Sequence, residues 1–182
     1  MSENKLNRNF NPGRIGKAWV SDITYIKTAQ GWLYLTVILH LGDRKVIGWS
    51  LSKSLKAIHT TIPTWKMAVQ YRPVTEELIF HSDRGVQYAC TEFCQMLSAN
   101  KNVTRSMSRK GNCWDNAVAE SFFKNLKIEW TNEENYSTIQ QASVPVFEYI
   151  EAWYNTKRRH SSLNYKTPVE YENYLLTLKT AA

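Results

Sequence analysis

The spacing of hydrophobic and polar residues predicts a chain that begins with strands and ends with helices. Three runs rich in β-branched and aromatic residues, separated by glycine-containing turns, lie at 19–26, 33–40 and 45–51. Because turns this short join antiparallel neighbours, the three runs predict a meander. Two shorter apolar runs, at 78–81 and 103–106, lie between helical patterns and predict two further strands.

Helical spacing accounts for much of the remaining chain. Residues 55–71 carry an apolar stripe, and Pro63 within it either starts or bends the helix. A short helix is predicted at 91–98. A later helix carries Val118, Phe122 and Leu126 at four-residue steps, and Asp115 or Asn116 is placed to cap its start.

The C-terminal part is also predicted to be helical. Ser137 and Gln140 resemble a capping box, Val146 and Ile150 continue an apolar face, and Pro145 is expected to break the helix. Strands and helices in this order predict an α/β sandwich with a mixed sheet. The predicted organisation is a flexible basic tail or linker at 1–17, a core at 18–135 and a helical extension at 136–182.

Composition narrows the function classes. The 182 residues are 43% hydrophobic, which is enough for one domain with a sizeable core. A net charge of +7 favours a polyanionic partner. Three cysteines, Cys90, Cys94 and Cys113, make an odd count without a CxxC pair, so we expect small buried thiols in a reducing compartment. No signal peptide or membrane-length apolar run is visible, and no membrane partner is expected.

Three acidic residues are candidates for a metal site. Asp22 lies in the middle of a predicted strand, where an unpartnered charge is costly to bury. Asp83 follows the strand at 78–81, and Glu120 shares a helix face with Lys124 and Lys127. Taken singly, the aspartates can be turn or capping residues, and Glu120 with Lys124 is an ordinary surface pair. Together they can converge on one metal site.

Basic and polar side chains near these acids are candidates for phosphate contact. They fall in the loop before the Glu120 helix, on that helix, beside Asp83 and in a C-terminal cluster. The alternative for the cluster is a solvated helix end, where the helix dipole favours cations. The candidate DNA-binding residues are Arg84, Arg109, Lys110, Asn112, Lys124, Lys127, Arg158, Arg159 and His160.

The order of several short motifs resembles one known family. The chain contains W-V-S-D-I-T-Y-I, H-S-D-R-G-V-Q-Y, S-M-S-R-K-G-N-C-W-D-N-A, E-S-F-F-K-N-L-K and W-Y-N-T-K-R-R-H-S-S-L, in that order. This series is similar to the catalytic core of insertion-sequence transposases of the retroviral-integrase type, the DDE enzymes. The resemblance runs from about residue 16 to residue 172. It implies a ribonuclease-H-like fold, with 18–135 as the catalytic core.

The resemblance also implies a chemistry. Asp22 would bridge two Mg²⁺ (or Mn²⁺) ions, Asp83 would bind one ion and Glu120 the other, and no small-molecule cofactor is expected. Water would cleave the end of the element, and the resulting 3′-hydroxyl would attack the target DNA. The implied partners are element ends and target duplex, bound by a homo-oligomer. The implied location is the bacterial cytoplasm, with the protein on the nucleoid when it is bound to DNA.

Departures from the family pattern leave alternatives open. His40 and Asp43 stand where the family has Asp and Ser, and Asn164 stands where it has Gly. Family members usually carry an N-terminal helix-turn-helix region, and this chain is expected to start after it. One alternative is therefore a catalytically silent DNA-binding fragment that modulates the full-length transposase. Another is a non-specific nuclease of the same fold.

Overall fold

Five strands form one mixed sheet in the computed structural model, which describes residues 1–11, 17–131 and 136–180. They are β1 (Ala18–Thr28), β2 (Gly31–His40), β3 (Val46–Ser52), β4 (Leu78–Ser82) and β5 (Val103–Met107). The strand order is β3-β2-β1-β4-β5. Strands β1 to β3 pair antiparallel, and β4 pairs parallel with both β1 and β5. The predicted meander with two further strands is confirmed.

The described residues form six α-helices, which pack on the sheet or follow it at the C-terminal end of the chain. They are α1 (Thr61–Tyr71), α2 (Val86–Ala89), α3 (Thr91–Ser98), α4 (Ala117–Leu126), α5 (Ile139–Phe147) and α6 (Pro168–Thr180). A 3-10 turn at Cys113–Asn116 precedes α4, and π-helical segments at Lys127–Thr131 and Glu148–Tyr154 continue α4 and α5. None of the helices in the described part of the chain is long and apolar enough to cross a membrane.

Three local predictions about helix ends are corrected or refined. Pro63 lies in the first turn of α1, where a missing N–H is tolerated, so the helix starts there rather than bending. The capping box forms one residue later than predicted, with Thr138 Oγ1 accepting from the Gln141 N–H at 3.1 Å. Pro145 does not break the helix, since α5 runs through it into the following π-helical segment while Val146 and Ile150 stay buried.

Alternation along β1 and β2 divides the core between the two faces of the sheet. Residues such as Val20 and Leu35 face α4 and α5, whereas Trp19 and Ile38 face α1 and α3. Helix α1 approaches very closely at Gly48, where an added Cβ would lie 2.4 Å from the Thr64 carbonyl oxygen. A larger residue at this position would push α1 off the sheet, so the glycine fixes where the helix lies.

The N-terminal residues lie against the core rather than standing free as the predicted tail. Leu6 is buried, and Ser106 Oγ accepts hydrogen bonds from the N–H groups of Lys5 and Leu6 at 2.9 and 3.0 Å. Arg8 donates to Asp115 Oδ1 at 2.9 Å. The sequence pattern did not predict this packing, because only two isolated apolar residues, Leu6 and Phe10, anchor the segment. The rest of the predicted tail, 12–16, lies outside the described residues.

The residues that depart from the family pattern have well-defined surroundings. His40 Nδ1 and Asp43 Oδ1 are 2.8 Å apart in a fully buried pair, and Arg72 donates to Asp43 Oδ2 at 3.0 Å. Arg72 also bonds Glu172, which ties α6 to the end of α1. Asn164 adopts φ 54°, a left-handed conformation that Asn tolerates better than other non-glycine residues.

Candidate active site

Asp22 lies at the centre of the sheet, on the face that α4 covers. It sits opposite Val37 of β2, and its Oδ1 accepts a hydrogen bond from the Ile23 N–H at 2.8 Å. Burial raises the pKa of Asp22 to about 7, and the nearby charges of Asp83 and Glu120 act in the same direction. The two other candidate acids therefore both interact electrostatically with Asp22.

Asp83 reaches Asp22 because of the parallel register of the two central strands. Ser21 of β1 pairs with Ser82 of β4, so the next residue on each strand is one of the two acids. The Gly85 N–H donates to Asp83 Oδ1 at 2.9 Å, and a Cβ at Gly85 would lie 3.0 Å from that oxygen. Burial raises the pKa of Asp83. The strand end and the glycine turn thus hold this carboxylate beside Asp22.

Glu120 is brought to the same region by α4. The apolar stripe of this helix is confirmed and widened, since Ala119 and Phe123 are buried together with Phe122 and Leu126. Glu120 itself is exposed, and the partial burial of its carboxyl group raises its pKa. Anchoring one face of α4 in the core leaves the face that carries Glu120 turned toward β1.

A groove of about 470 Å³ runs between β1 and α4. The groove is lined by both lysines that were predicted to share a face with Glu120. It is also lined by apolar residues and one threonine that the sequence analysis did not identify. The lining residues are Asp22, Ile23, Thr24, Glu120, Phe123, Lys124, Lys127 and Ile128. The groove therefore combines two candidate metal-binding carboxylates with two cations one and two helical turns away.

The donor set suits a hard divalent cation. Carboxylate oxygens are the ligands that Mg²⁺ prefers, and it keeps several waters, so few protein ligands are needed. Like charges around Asp22 disfavour its ionised form, and a bound cation would relieve this repulsion. Within the described ranges, no three Asp, Glu, His or Cys side chains are close enough together to hold a metal ion as they stand.

The loop before α4 is fastened by Asp115, whose role differs from the predicted cap. Its buried carboxylate accepts from Arg109 at 2.7 and 2.9 Å and from Arg8 at 2.9 Å, and these partners, Arg109 foremost, hold its pKa well below the ordinary range. Asn116 occupies the cap position, but its Nδ2 donates to the Ser21 carbonyl oxygen at 3.2 Å. Neither side chain caps α4. Asn116 ties the loop to Ser21, next to Asp22, whereas Asp115 ties it to the N-terminal segment through Arg8.

The candidate DNA-binding residues in and near this loop differ in whether their side chains are already bonded within the protein. Arg109 is occupied by Asp115, and Asn112 accepts from Arg8 at 3.0 Å. Arg84 donates to the Ser108 carbonyl oxygen at 2.7 Å, with its side chain exposed. Lys110 is exposed at the tip of the loop. The long-range Arg8–Asp115 contact gave no local signal in the sequence, because its partners are 107 positions apart.

The C-terminal basic cluster is divided between internal and exposed groups. Arg158 pairs with Glu129 at 2.9 Å, which ties it to the segment that follows α4. His160 lies edge-on to Tyr154, and burial together with Arg158 and Arg44 lowers its pKa to about 4. The ring is therefore neutral at pH 7. Arg159 is exposed and is therefore more accessible to a phosphate than Arg158 and His160 are.

Comparison with known proteins agrees with this architecture. A mixed five-stranded sheet with one acid on β1 and another directly after β4 defines an α/β core of the ribonuclease-H-like class, as predicted. The chain belongs to the integrase core domain family: models described as "Integrase core domain" match residues 13–113 and 101–168.

Relatives of known function are insertion-sequence transposases. The chain is 39% identical over 171 residues to the "Transposase for insertion sequence element IS904" of Lactococcus lactis. It is 40% identical over 173 residues to "Transposase InsF for insertion sequence IS3A" of Escherichia coli K12. These matches cover 94% and 95% of this chain, but only 67% and 59% of the two relatives.

Solved structures of similar fold include retroviral integrase cores. The HTLV-2 integrase catalytic core domain in complex with magnesium superposes with a TM-score of 0.64 at 16% identity, covering 87% of this chain and 97% of that one. The BIV integrase core gives 0.61 at 18% identity, covering 91% and 98% of the two chains. At these identities the similarity establishes the fold, which is that of an integrase core.

Proposed function

We propose that this chain is the catalytic core of a transposase, which cleaves DNA at the ends of a mobile element and joins them to target DNA. The observation that carries the proposal is the placement of Asp22, whose pKa is raised by burial and by the charges of both Asp83 and Glu120. The groove with Lys124 and Lys127 beside this centre supports it. So does the similarity to transposases along nearly the whole chain.

In this proposal Asp22, Asp83 and Glu120 hold two Mg²⁺ or Mn²⁺ ions, and Asp22 binds both. Magnesium is present in the HTLV-2 core of similar fold. Two such ions, when bound, stabilise charge on the attacking and leaving oxygens of a phosphodiester. To bind them, Asp22 has to be ionised, so proton loss from its carboxyl group accompanies metal binding.

The remaining groove residues position the DNA. Lys124 and Lys127 project from the helix face of Glu120 and would hold phosphates next to the scissile bond. Phe123 and Ile128 give the groove an apolar rim, which limits water around the reacting phosphate. The Asp115 contacts hold the basic loop against the N-terminal segment.

The proposed partners are the element ends, the target duplex and further copies of the same chain on DNA. Arg84, Arg109, Lys110, Asn112, Arg158, Arg159 and His160 remain candidate DNA contacts. Arg84, Lys110 and Arg159 are the better candidates because their side chains are exposed and form no salt bridge within the described residues. To bind DNA, Arg109 would have to give up its salt bridge with Asp115, and Arg158 its salt bridge with Glu129, in favour of a phosphate.

Strand transfer, or its reversal on a branched DNA substrate, tests the proposal without requiring recognition of the element ends. We expect activity with Mg²⁺ or Mn²⁺ and none in EDTA. Asp22→Asn, Asp83→Asn and Glu120→Gln should each abolish it while the fold persists. Glu92→Gln is a matched control, because Glu92 is an exposed acid in the first turn of α3. A fully active Glu120→Gln protein would refute the assignment.

The alternative is a fragment that binds DNA without cleaving it. It is favoured by the exposure of Glu120 and by the lack of a closed three-ligand cluster in the described ranges. Under this alternative, duplex binding survives while no divalent ion yields product, and the three acid variants bind DNA at least as tightly as the unchanged chain. Product formation that depends on Glu120 excludes it.

A further inference from the structure

The β1–β2 hairpin extends beyond β4 and β5 on the side of the candidate active site, with β3 still paired to β2 as far as Tyr34. Pairing between β1 and β4 ends at Ser21 and Ser82, one residue before Asp22 and Asp83. Strand β1 nevertheless continues to Thr28, paired all the way with β2. At about 3.3 Å per residue, the projecting part extends roughly 20 Å past Asp22.

One face of this projection carries three aromatic rings. Tyr25 is paired with Tyr34, and Trp32 is the next residue on that face of β2, opposite Lys27. The ring centroids of Tyr25 lie 5.2 Å from Tyr34 and 6.2 Å from Trp32, and both contacts are edge-on. Because the rings do not stack face to face with one another, part of their flat surface remains open to a ligand.

Among the described residues no helix covers these rings, and the packing of α1 gives the reason. Helix α1 covers the same sheet face at Gly48, and Ser50 Oγ bonds Thr64 Oγ1 at 2.7 Å. The helix begins at Thr61, so the layer ends before it reaches Tyr34. Trp32 is consequently 50% exposed and Tyr25 49% exposed.

The charge around the rings favours an anionic partner. Lys27 lies on the ring-bearing face, and exposed Lys53 follows Ser52, which pairs with Tyr34. Between residues 23 and 72 the only acid is Asp43, and it is buried beyond the opposite end of β2 with His40 and Arg72. The one acid of these strands, Asp22, lies on the opposite face of β1. Open aromatic rings next to lysines, with no acid on the same face of β1 and β2, are typical of surfaces that bind single-stranded nucleic acid.

We propose that Tyr25, Trp32 and Tyr34 form a stacking surface for unpaired nucleotides of the DNA on which the active site acts, an inference that rests on the proposed function. Base pairs inside a duplex already have both faces stacked, so only unpaired bases can lie on the rings. Lys27 and Lys53 hold the phosphates on either side. Tyr25 is three residues and Trp32 five pairing positions from Asp22, which is roughly 10–17 Å along the strands, on the opposite face of the sheet. Because β4 pairs with β1 only as far as Ser21, a strand that leaves the groove can reach the rings around the unpaired edge of β1.

Binding of fluorescein-labelled oligo(dT) in EDTA tests this without any contribution from metal chemistry. Trp32→Thr and Tyr25→Thr, which preserve strand propensity, should each weaken binding about tenfold, and Trp32→Phe should restore most of it. These changes should act equally at every salt concentration. Lys27→Gln should instead reduce the salt slope by about 0.7. Tyr174→Ala is the control, because Tyr174 is 44% exposed but lies on α6.

Photo-crosslinking of the unchanged chain with 5-iododeoxyuridine DNA gives a second measurement that does not depend on variants. Labelled peptides containing Tyr25 or Trp32 are expected, whereas labelling only elsewhere would overturn the proposal. Unaltered oligo(dT) affinity in both Thr variants would also overturn it. Loss of self-association in Trp32→Thr, with unchanged DNA affinity, would assign the rings to a second copy of the chain. Absence of strand transfer with intact oligo(dT) binding would count against the proposed function alone.

Discussion

Replacing Asp43 by Asn should destabilise the fold by about 2–3 kcal/mol at neutral pH. Asp43 Oδ1 accepts from His40 Nδ1 at 2.8 Å and from the Lys45 N–H at 3.0 Å, and Oδ2 accepts from Arg72 at 3.0 Å. Asn keeps one acceptor but places an amide NH₂ against the Arg72 guanidinium. A hydrogen bond between charged groups contributes about 1.5–3 kcal/mol, and a buried cation that loses its partner adds to the cost.

The pH dependence of stability gives an independent magnitude. Burial alone would raise the pKa of Asp43, but His40, Arg72 and the Lys45 N–H lower it to about 2 from 3.8. A depressed carboxyl pKa stabilises the fold above the unfolded value, and this contribution is lost as the pH falls from about 4 to about 2. The shift corresponds to about 2 kcal/mol, the same order as the hydrogen-bond contributions.

Urea unfolding followed by circular dichroism measures the effect. For a chain of this length the loss corresponds to a fall in melting temperature of roughly 5–10 °C. A double-mutant cycle with Arg72→Met should give a coupling of about 1–3 kcal/mol, and Glu92→Gln should change little. If Asp43→Asn costs less than about 0.5 kcal/mol, the buried carboxylate contributes no net stability, and the reasoning from its contacts is wrong.

Three further predictions concern the groove and its loop. Asp22→Asn should stabilise the metal-free fold by about 1–3 kcal/mol at pH 8, because a carboxyl group whose pKa is raised by folding destabilises the fold once it is ionised. Mg²⁺ should raise the melting temperature of the unchanged chain but not that of this variant. The double variant Lys124→Ala, Lys127→Ala should lower the slope of log affinity against log salt concentration for duplex DNA by about 2. An unchanged slope would show that both lysines are ordinary surface residues without phosphate contacts. Asp115→Asn should lower the free energy of unfolding, measured in urea, by about 1–2 kcal/mol and should weaken strand transfer. Full activity would show that strand transfer does not depend on these contacts of the loop.

Much of the candidate site followed from local patterns. An aspartate inside an apolar strand and another just before a glycine turn are unusual on physical grounds, and the parallel register of β1 and β4 puts them side by side. The four-residue apolar steps of α4 fixed which face is buried and hence which face carries Glu120 and Lys124. The placement of each acid within its own element depends on neighbours a few residues away and could be predicted from the sequence, whereas the parallel register that joins Asp22 and Asp83 could not.

What could not be predicted depends on contacts between distant parts of the chain. Asp115 was expected to cap α4, yet its carboxylate is taken by Arg8 from the N-terminal segment and by Arg109. A cap hydrogen bond is worth about 1 kcal/mol, less than two charge-assisted ones on a buried carboxylate, so the long-range partners win. No local rule identifies Arg8 as a partner.

The same competition explains why the departures at His40 and Asp43 do not by themselves favour a catalytically silent fragment. A buried histidine next to a buried aspartate is costly if either is left alone, but here the carboxylate is also bonded by Arg72 and by a backbone N–H. Burial lowers the pKa of His40, so the ring stays neutral and donates to an ionised Asp43. A random substitution rarely produces a fully bonded buried pair together with its countercharge. His40 and Asp43 are therefore better explained as a working alternative to the family's residues at these positions, maintained by packing against α1 and α6.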